Sequence, residues 1–239
     1  MPSPYAKHWN LETARVFLNH GSFGACPDFV IEEQRKWQNQ MESEPVRFFE
    51  DEMPLLLKQA RDVLADFLSC SSEDLALVPN ATTGVNTILR SLIFSEGDEI
   101  LVPSMTYVAT FQAIKATGAK PVACDIDEDT CLIDLNDASS KISKRTKAII
   151  PVHYTGGVGN LDELYSFASK HNLRVIEDAA HAFGTKYKDN LIGSIGDIVC
   201  FSFDGIKNIT TGEGGAVLTN DRKVMERLRD DRLLGVQKD

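Results

Sequence analysis

The sequence predicts an α/β domain in which a mainly parallel sheet of seven strands is flanked by helices. From residue 76 onward, short apolar runs rich in branched side chains alternate with amphipathic stretches of helical length. Turns containing glycine, such as those at Gly97, Gly118 and Gly156, separate the two kinds of segment. A chain of 239 residues is long enough to bury a sizeable core. We therefore expect one large domain over residues 76–239.

Each element of this domain follows from a local pattern. The strands are predicted where short apolar runs are bounded by turn residues, at 75–78, 99–102, 121–124, 148–152, 174–177, 198–202 and 216–219. The helices are predicted where apolar residues recur with helical spacing, at 83–94, 107–117, 135–142, 161–171 and 221–233.

Residues 1–75 are predicted to form an N-terminal arm with two helices, at 30–43 and 54–69. The second helix carries apolar residues on one face, namely Leu56, Ala60, Val63, Leu64 and Phe67. A helix with such a face packs against a larger body. We expect that body to be the domain over residues 76–239.

The composition argues against several classes of protein. A net charge of −10 repels a nucleic-acid backbone. No apolar stretch approaches the roughly 20 residues that span a bilayer, and the N-terminus lacks the pattern of a secretory signal. The five cysteines form no CxxC pair and the five histidines no HxxxH pair, so neither a disulfide framework nor a metal site is indicated. We expect a cytoplasmic protein without nucleic-acid, membrane or metal partners.

Two polar side chains follow apolar strands of the predicted sheet. Asp178 comes directly after the strand at 174–177, at the end where open α/β folds place their ligands. Taken alone, it is better explained as a helix cap. Lys207 follows the strand at 198–202 and, taken alone, is most simply a solvated surface lysine. Taken together, a carboxylate and an amine that leave two strands and converge on one ligand suit a pyridine ring.

This pair meets two requirements of pyridoxal phosphate (PLP), an amine that binds it as a Schiff base and a carboxylate that keeps its ring nitrogen protonated. The phosphate needs a third group. The turn at residues 80–84 offers the N–H groups of a helix start and the hydroxyls of Thr82 and Thr83. From the sequence, a simple helix cap at either threonine is an equally good explanation. Ser202, at the end of a strand, is a second candidate hydroxyl.

Two ring-bearing residues complete the candidate site. Tyr107 lies between a strand and a helix, where its ring can stack on the cofactor; the alternative is core packing. His181, three residues past Asp178, can hydrogen-bond the ring hydroxyl of PLP or the lysine imine; the alternative is a buried structural histidine. The predicted catalytic residues are Lys207, Asp178 and His181.

Four long motifs occur in a defined order, at residues 97–103, 146–153, 176–184 and 201–215. They resemble the DegT/DnrJ/EryC1/StrS aminotransferase family, whose members are PLP-dependent and act largely on keto-sugars attached to nucleotides. The resemblance implies the PLP-dependent transferase fold of the aspartate aminotransferase type. It also implies the role of each site residue: Lys207 is the Schiff-base lysine, Asp178 pairs with the ring nitrogen, His181 lies beside the ring, Ser202 helps hold the phosphate and Tyr107 stacks.

The N-terminal part resembles a different family. Motifs at residues 17–24, 44–49 and 79–87 are similar to class V aminotransferases of the isopenicillin N epimerase type. The chain is therefore predicted to join two related sequences near residues 97–102. Members of the fold form homodimers and carry a small C-terminal domain that closes over the substrate, and this sequence stops where that domain begins.

The sequence predicts a PLP-dependent aminotransferase that moves an amino group from glutamate or glutamine to a keto-sugar nucleotide. Two alternatives stay open. The N-terminal motifs favour a PLP-dependent epimerase, lyase or desulfurase, and the missing C-terminal domain favours a PLP-binding domain without turnover. A dinucleotide-dependent oxidoreductase is disfavoured because no GxGxxG turn follows an early strand.

Overall fold

A computed structural model describes residues 3–18 and 24–231. Within them, a sheet of seven strands forms the centre of the domain, as predicted. Its strands, together with those of a separate short hairpin (β6 and β7), are β1 Leu75–Val78, β2 Glu99–Pro103, β3 Lys120–Cys124, β4 Thr146–Ile149, β5 Arg174–Asp178, β6 Lys186–Tyr187, β7 Asn190–Leu191, β8 Ile198–Ser202 and β9 Gly215–Thr219.

The spatial order of the sheet is β1-β9-β8-β5-β4-β2-β3. Strands β3, β2, β4, β5 and β8 are parallel neighbours, whereas β9 runs antiparallel between β8 and β1. Because β1 and β8 are both antiparallel to β9, they point the same way. The carboxyl ends of β1, β5 and β8 therefore lie at one edge of the sheet, where Gly215 is paired with Val78 on one side and Ser202 on the other.

Helices cover both faces of this sheet. Those that pack on it are α3 Met53–Leu68, α4 Ala81–Ser91, α5 Val108–Ala116, α6 Leu135–Ser140, α7 Leu161–His171 and α8 Arg222–Asp231. Two further helices, α1 Asp28–Ser43 and α2 Pro45–Arg47, precede them in the N-terminal arm. Apolar residues of α4, α5 and α8 form one core with the sheet, and those of α3, α6 and α7 form the other. Successive side chains of a strand point to opposite faces, so Val175 and Ile176 of β5 enter different cores. Burial on both faces explains the continuous apolar run at residues 198–201 of β8, a strand whose residues are all buried.

Element ends differ from the prediction by a few residues. Helix α4 begins at Ala81 because the Asn80 side chain accepts a hydrogen bond from the Thr83 N–H at 2.8 Å and so caps the helix. Strand β4 ends at Ile149, sooner than predicted. The hairpin of β6 and β7 is absent from the prediction, since two-residue strands give no periodic signal. Residues 19–23 of the first N-terminal motif and the predicted end of the last helix lie outside the described residues.

The described residues include no helix that is long and apolar enough to cross a membrane.

All five cysteines are free thiols, and Cys124 and Cys200 are buried. Burial raises the pKa of the Cys124 thiol to about 11. At neutral pH both buried cysteines therefore pack as small neutral residues.

A buried polar network lies on the α7 side of the sheet. Glu177 is fully buried; one of its carboxylate oxygens accepts a hydrogen bond from the Tyr165 hydroxyl at 2.6 Å, and the other lies 2.6 Å from Nε2 of His153. The Tyr165 hydroxyl also accepts the Asp197 N–H at 2.8 Å, and the Asp197 carboxylate pairs with Arg174. Burial and the charge of Glu177 raise the pKa of Tyr165. The phenol therefore stays protonated and donates to Glu177.

We expect Tyr165→Phe to lower the free energy of unfolding by about 1–3 kcal/mol, because it leaves a buried oxygen of Glu177 and the N–H of Asp197 without their partner. Urea denaturation followed by circular dichroism measures this loss. Tyr5→Phe is the matched control, since Tyr5 is 68% exposed, and it should change stability by less than about 0.5 kcal/mol. Equal losses in the two variants would contradict the role given to Tyr165.

Candidate active site

A cleft of about 620 Å³ opens at the sheet edge where β1, β5 and β8 end. Six of the seven residues predicted for the site line it: Thr82, Tyr107, Asp178, His181, Ser202 and Lys207. The topology brings them together. Asp178 and Ser202 lie at the ends of β5 and β8, and Thr82 and Tyr107 lie at the starts of α4 and α5. His181 lies in the segment after β5 and Lys207 in the loop after β8.

Asp178 is the last residue of β5 and is buried. Its N–H donates to the carbonyl of Pro151 at 2.9 Å, and its carboxylate accepts the N–H of Ala180 at 3.1 Å. Burial raises the pKa of Asp178, whereas the hydrogen bond from Ala180 and nearby positive charges, including that of Lys207, act in the opposite direction. A buried carboxylate of this kind is stabilised in its charged form by a cationic hydrogen-bond donor beside it.

Lys207 lies in the loop between β8 and β9, residues 203–214, which we call the lysine loop. The loop is closed at its base, because the N–H of Phe203 donates to the carbonyl of Gly214 at 2.8 Å. The lysine side chain is half-buried and lines the same cleft as Asp178. The structure thus brings the amine and the carboxylate of the predicted pair to one ligand-sized space.

The first turn of α4 faces the cleft through Asn80, Ala81 and Thr82. The N–H of Gly84 donates to the carbonyl of Asn80 at 3.1 Å and makes the first intrahelical bond. The N–H groups of Ala81 and Thr82 precede it and point out of the helix end. Such a helix end attracts a phosphate without any net positive charge. Thr83 is not among the lining residues, and its N–H is bonded to the Asn80 side chain.

Gly215 sets the distance between this helix end and β8. A Cβ at Gly215 would lie 2.9 Å from the carbonyl carbon of Asn80 and 3.1 Å from the nitrogen of Ala81, so only glycine permits the approach. Gly215 pairs with Ser202 across the β8–β9 ladder. A serine hydroxyl and a helix N-terminus therefore lie close together, which is the donor set that a phosphate group requires.

His181 is exposed at the rim of the cleft, and its Nδ1 accepts the N–H of Thr155 at 3.3 Å. A neutral ring in this arrangement carries its proton on Nε2. Loss of solvent around the ring and the positive charge of Lys207 lower the pKa of His181, against the opposite effect of Asp178. The ring of Tyr154 lies 6.1 Å from it. At neutral pH His181 is therefore a neutral imidazole with one N–H to donate.

Tyr107 is the N-cap residue of α5 and is 73% exposed, which excludes the core-packing alternative. Sequence reasoning missed several residues of the cleft, among them Asn80 as the cap of α4 and Tyr154 beside His181. Tyr154 lies five residues beyond the end of β4, and His153 comes between it and the apolar run, so the rule that found Asp178 does not reach it.

Comparison with known protein families gives a match over most of the chain. Residues 61–239 match the DegT/DnrJ/EryC1/StrS aminotransferase family. The chain belongs to this family.

One DegT/DnrJ/EryC1/StrS relative is GDP-perosamine synthase of Escherichia coli O157:H7, which is 47% identical over 150 residues, 63% of this chain and 41% of that protein. Two solved structures are similar. DesI, crystallised in the presence of its TDP-sugar product, has a TM-score of 0.75 at 28% identity over 92% of this chain and 53% of its own. Spr1654 of Streptococcus pneumoniae, in its PLP form, has a TM-score of 0.66 at 31% identity, covering 72% and 49%. The chain thus spans about half or less of the length of these relatives.

Proposed function

We propose that the cleft holds PLP, with Lys207 for covalent attachment, Asp178 for the ring nitrogen, and Thr82 and Ser202 for the phosphate. The observation that carries this proposal is that the amine and the buried carboxylate line one cleft whose wall includes a helix N-terminus. The PLP form of Spr1654 supports it. The donor set fits, because a phosphate cradle made by α4 and Ser202 and an acid for a pyridine nitrogen occur in the same space.

The residues of the cleft divide the chemistry among them. When bound, PLP supplies the electron sink for a carbanion beside the substrate nitrogen. Asp178 keeps a proton on the ring nitrogen, because its buried charge is stabilised by that N–H. With its amine free, Lys207 would carry a proton as a general base. His181, neutral and at the rim, donates one hydrogen bond without adding a second positive charge next to Lys207.

The reaction that we propose is transfer of an amino group from glutamate or glutamine to a keto-sugar nucleotide. GDP-perosamine synthase and the TDP-sugar complex of DesI support a nucleotide-linked sugar as acceptor. Tyr107 and His181 are exposed at the rim of the cleft, where a large acceptor would approach.

Absorbance of the purified protein tests the proposal. Reconstitution with PLP should give a visible band, and L-glutamate should bleach it with release of 2-oxoglutarate, whereas D-glutamate should leave it unchanged. A band that L-glutamate does not alter would favour a PLP-binding domain without turnover. The absence of any band would contradict the proposal itself.

The resemblance of residues 1–97 to class V aminotransferases supports a second candidate, an epimerase, lyase or desulfurase acting on an amino acid. Part of its first motif, residues 19–23, lies outside the described structure, and the family match begins at residue 61. The glutamate experiment separates the two candidates, because only a transaminase releases 2-oxoglutarate and leaves the cofactor in its amine form.

We also propose a cytoplasmic homodimer. Large apolar side chains stay exposed on the N-terminal helices and next to the cleft: Phe29, Val46, Leu55, Val63 and Val108 are each more than half exposed. A second copy would cover this apolar surface. Five free thiols support a reducing compartment. Light scattering coupled to size exclusion tests the dimer, and a mass of 26.4 kDa would contradict it.

A further inference from the structure

The N-terminal arm touches the lysine loop through a contact that only glycine permits. At Gly24, a Cβ atom would lie 1.8 Å from the carbonyl oxygen of Gly205 and 2.8 Å from its carbonyl carbon. Real Cβ atoms do not approach other atoms so closely, and the atoms that this Cβ would meet belong to the backbone of Gly205 and Ile206. The two backbone segments therefore lie so close together that only glycine fits at position 24.

A second contact lies two residues further along the arm. Cys26 Sγ is 3.5 Å from the hydroxyl of Thr210. That hydroxyl donates to the carbonyl of Phe203 at 3.2 Å and accepts the N–H of Gly212 at 2.9 Å. Because its proton is given to Phe203, the Cys26 thiol is the donor in the contact with Thr210. The arm thus touches the residue that ties the two limbs of the lysine loop together.

The arm is itself held in place at this point. The indole N–H of Trp9 donates to the carbonyl of Ala25 at 2.9 Å, and the N–H of Asn10 donates to the carboxylate of Asp28 at 3.1 Å. Residue 28 begins α1, a helix of 16 residues. Residues 24–28 are therefore held by the hydrogen bonds from Trp9 and Asn10 on their N-terminal side and by helix α1 on their C-terminal side. A rigid support requires such restraint at both ends.

We propose that residues 24–28 are a positioning element for Lys207, acting through the backbone contact of Gly24 with Gly205 and the side-chain contact of Cys26 with Thr210. The proposal rests on the function proposed for Lys207. Gly205 lies two residues before the lysine, so a shift of the loop at that point displaces the amine. A displacement of about 1 Å is enough to cost a reacting group a large part of its rate.

Gly24→Ala tests the proposal, and Gly205→Ala is its matched control. Both add one methyl group at the same contact, but a Cβ at Gly205 would meet only carbonyl oxygens at 3.8 Å, an ordinary distance. Hydrogen exchange of the cofactor-free protein and the visible band with PLP are the two measurements. We expect Gly24→Ala to speed amide exchange in residues 203–214 by about tenfold or more, while amide exchange in the strands of the sheet stays unchanged. We also expect it to weaken PLP binding.

Wild-type exchange in Gly24→Ala, or an equal increase in Gly205→Ala, would overturn the proposal. Hydrogen exchange needs no cofactor, so this result stands apart from the function proposed for the cleft, which fails if the wild-type protein gives no band with PLP. If Gly24→Ala does not fold, Cys26→Ala decides in its place: faster exchange limited to residues 203–214 supports the positioning role, and unchanged exchange overturns it.

Discussion

We expect Lys207→Ala to abolish the visible band that PLP gives with the wild-type protein and to lower the rate of the proposed amino transfer by about 10³-fold or more. The physical reason is that alanine removes both the covalent attachment and the group that moves the proton. Lys207 lines the cleft with Asp178, and the structure gives the cleft no second lysine among its lining residues. Absorbance at fixed PLP concentration, followed by single-turnover kinetics with L-glutamate, measures both effects.

Two further variants separate attachment from charge. Lys207→Arg keeps the positive charge beside Asp178 and His181 but lacks the nucleophilic amine, so it should lose the band as alanine does. Lys188→Ala removes an exposed lysine that pairs with Asp162 and should leave band and rate as in the wild type. A band retained in either Lys207 variant would show that another residue binds the cofactor.

Asp178→Asn should lower the rate by about 10²–10³-fold and at the same time stabilise the cofactor-free protein. Asparagine keeps an acceptor for the N–H of Ala180 but has no charge to stabilise a protonated ring nitrogen. Without a cofactor, the charge of Asp178 is buried at a cost, which the amide removes. We expect the thermal midpoint at pH 7 to rise by roughly 2–4 °C, the effect of about 1 kcal/mol in a domain of this size.

The pH dependence of this gain has a defined sign. Burial raises the pKa of Asp178 in the folded protein above its value of about 3.9 in unfolded chains. The contribution of the carboxyl to stability is thus fully present below pH 3.9 and is lost as the pH rises through the folded-state pKa. The advantage of Asp178→Asn should therefore be largest at neutral pH and shrink as the solution is acidified. Asp189→Asn, at an exposed position, is the control that should show no gain.

Addition of PLP should reverse the order of the thermal midpoints, so that the wild type melts at a higher temperature than Asp178→Asn. The ring nitrogen stabilises the carboxylate of the wild type but not the amide of Asp178→Asn, so the midpoint of the wild type should rise more with ligand. Equal increases in the two proteins would contradict the pairing of Asp178 with the ring.

The sequence was enough to predict the pair that defines the cleft, because strand ends have a strong signal. Asp178 and Lys207 each follow an apolar run, and parallel strands bring their carboxyl ends to one edge. The turn at residues 80–84 was placed beside the pair for the same reason, but its details were not predicted. Thr82, Thr83 and Asn80 are all good caps by composition, and only the structure shows that Asn80 caps α4 and that Thr83 is not among the residues lining the cleft.

The contact of Gly24 with Gly205 had no signal in the sequence. Glycine in a turn is explained locally by backbone freedom, whereas here the requirement comes from a segment far away along the chain. Tyr165, Glu177 and Asp197 form a similar case. Each has an ordinary pattern in its own element, and their shared network is visible only once α7, β5 and the segment before β8 are packed together.

The position of β9 has a consequence for how the protein is made. Strand β1 pairs with β9, which is the last strand among the described residues and lies between β1 and β8. A nascent chain emerging from the ribosome therefore cannot join β1 to the growing sheet until residue 219 has left the exit tunnel. Until then the ladder that joins β1 to β8 through β9 cannot form. The edge of the sheet that carries the cleft is accordingly completed only after residue 219 has emerged.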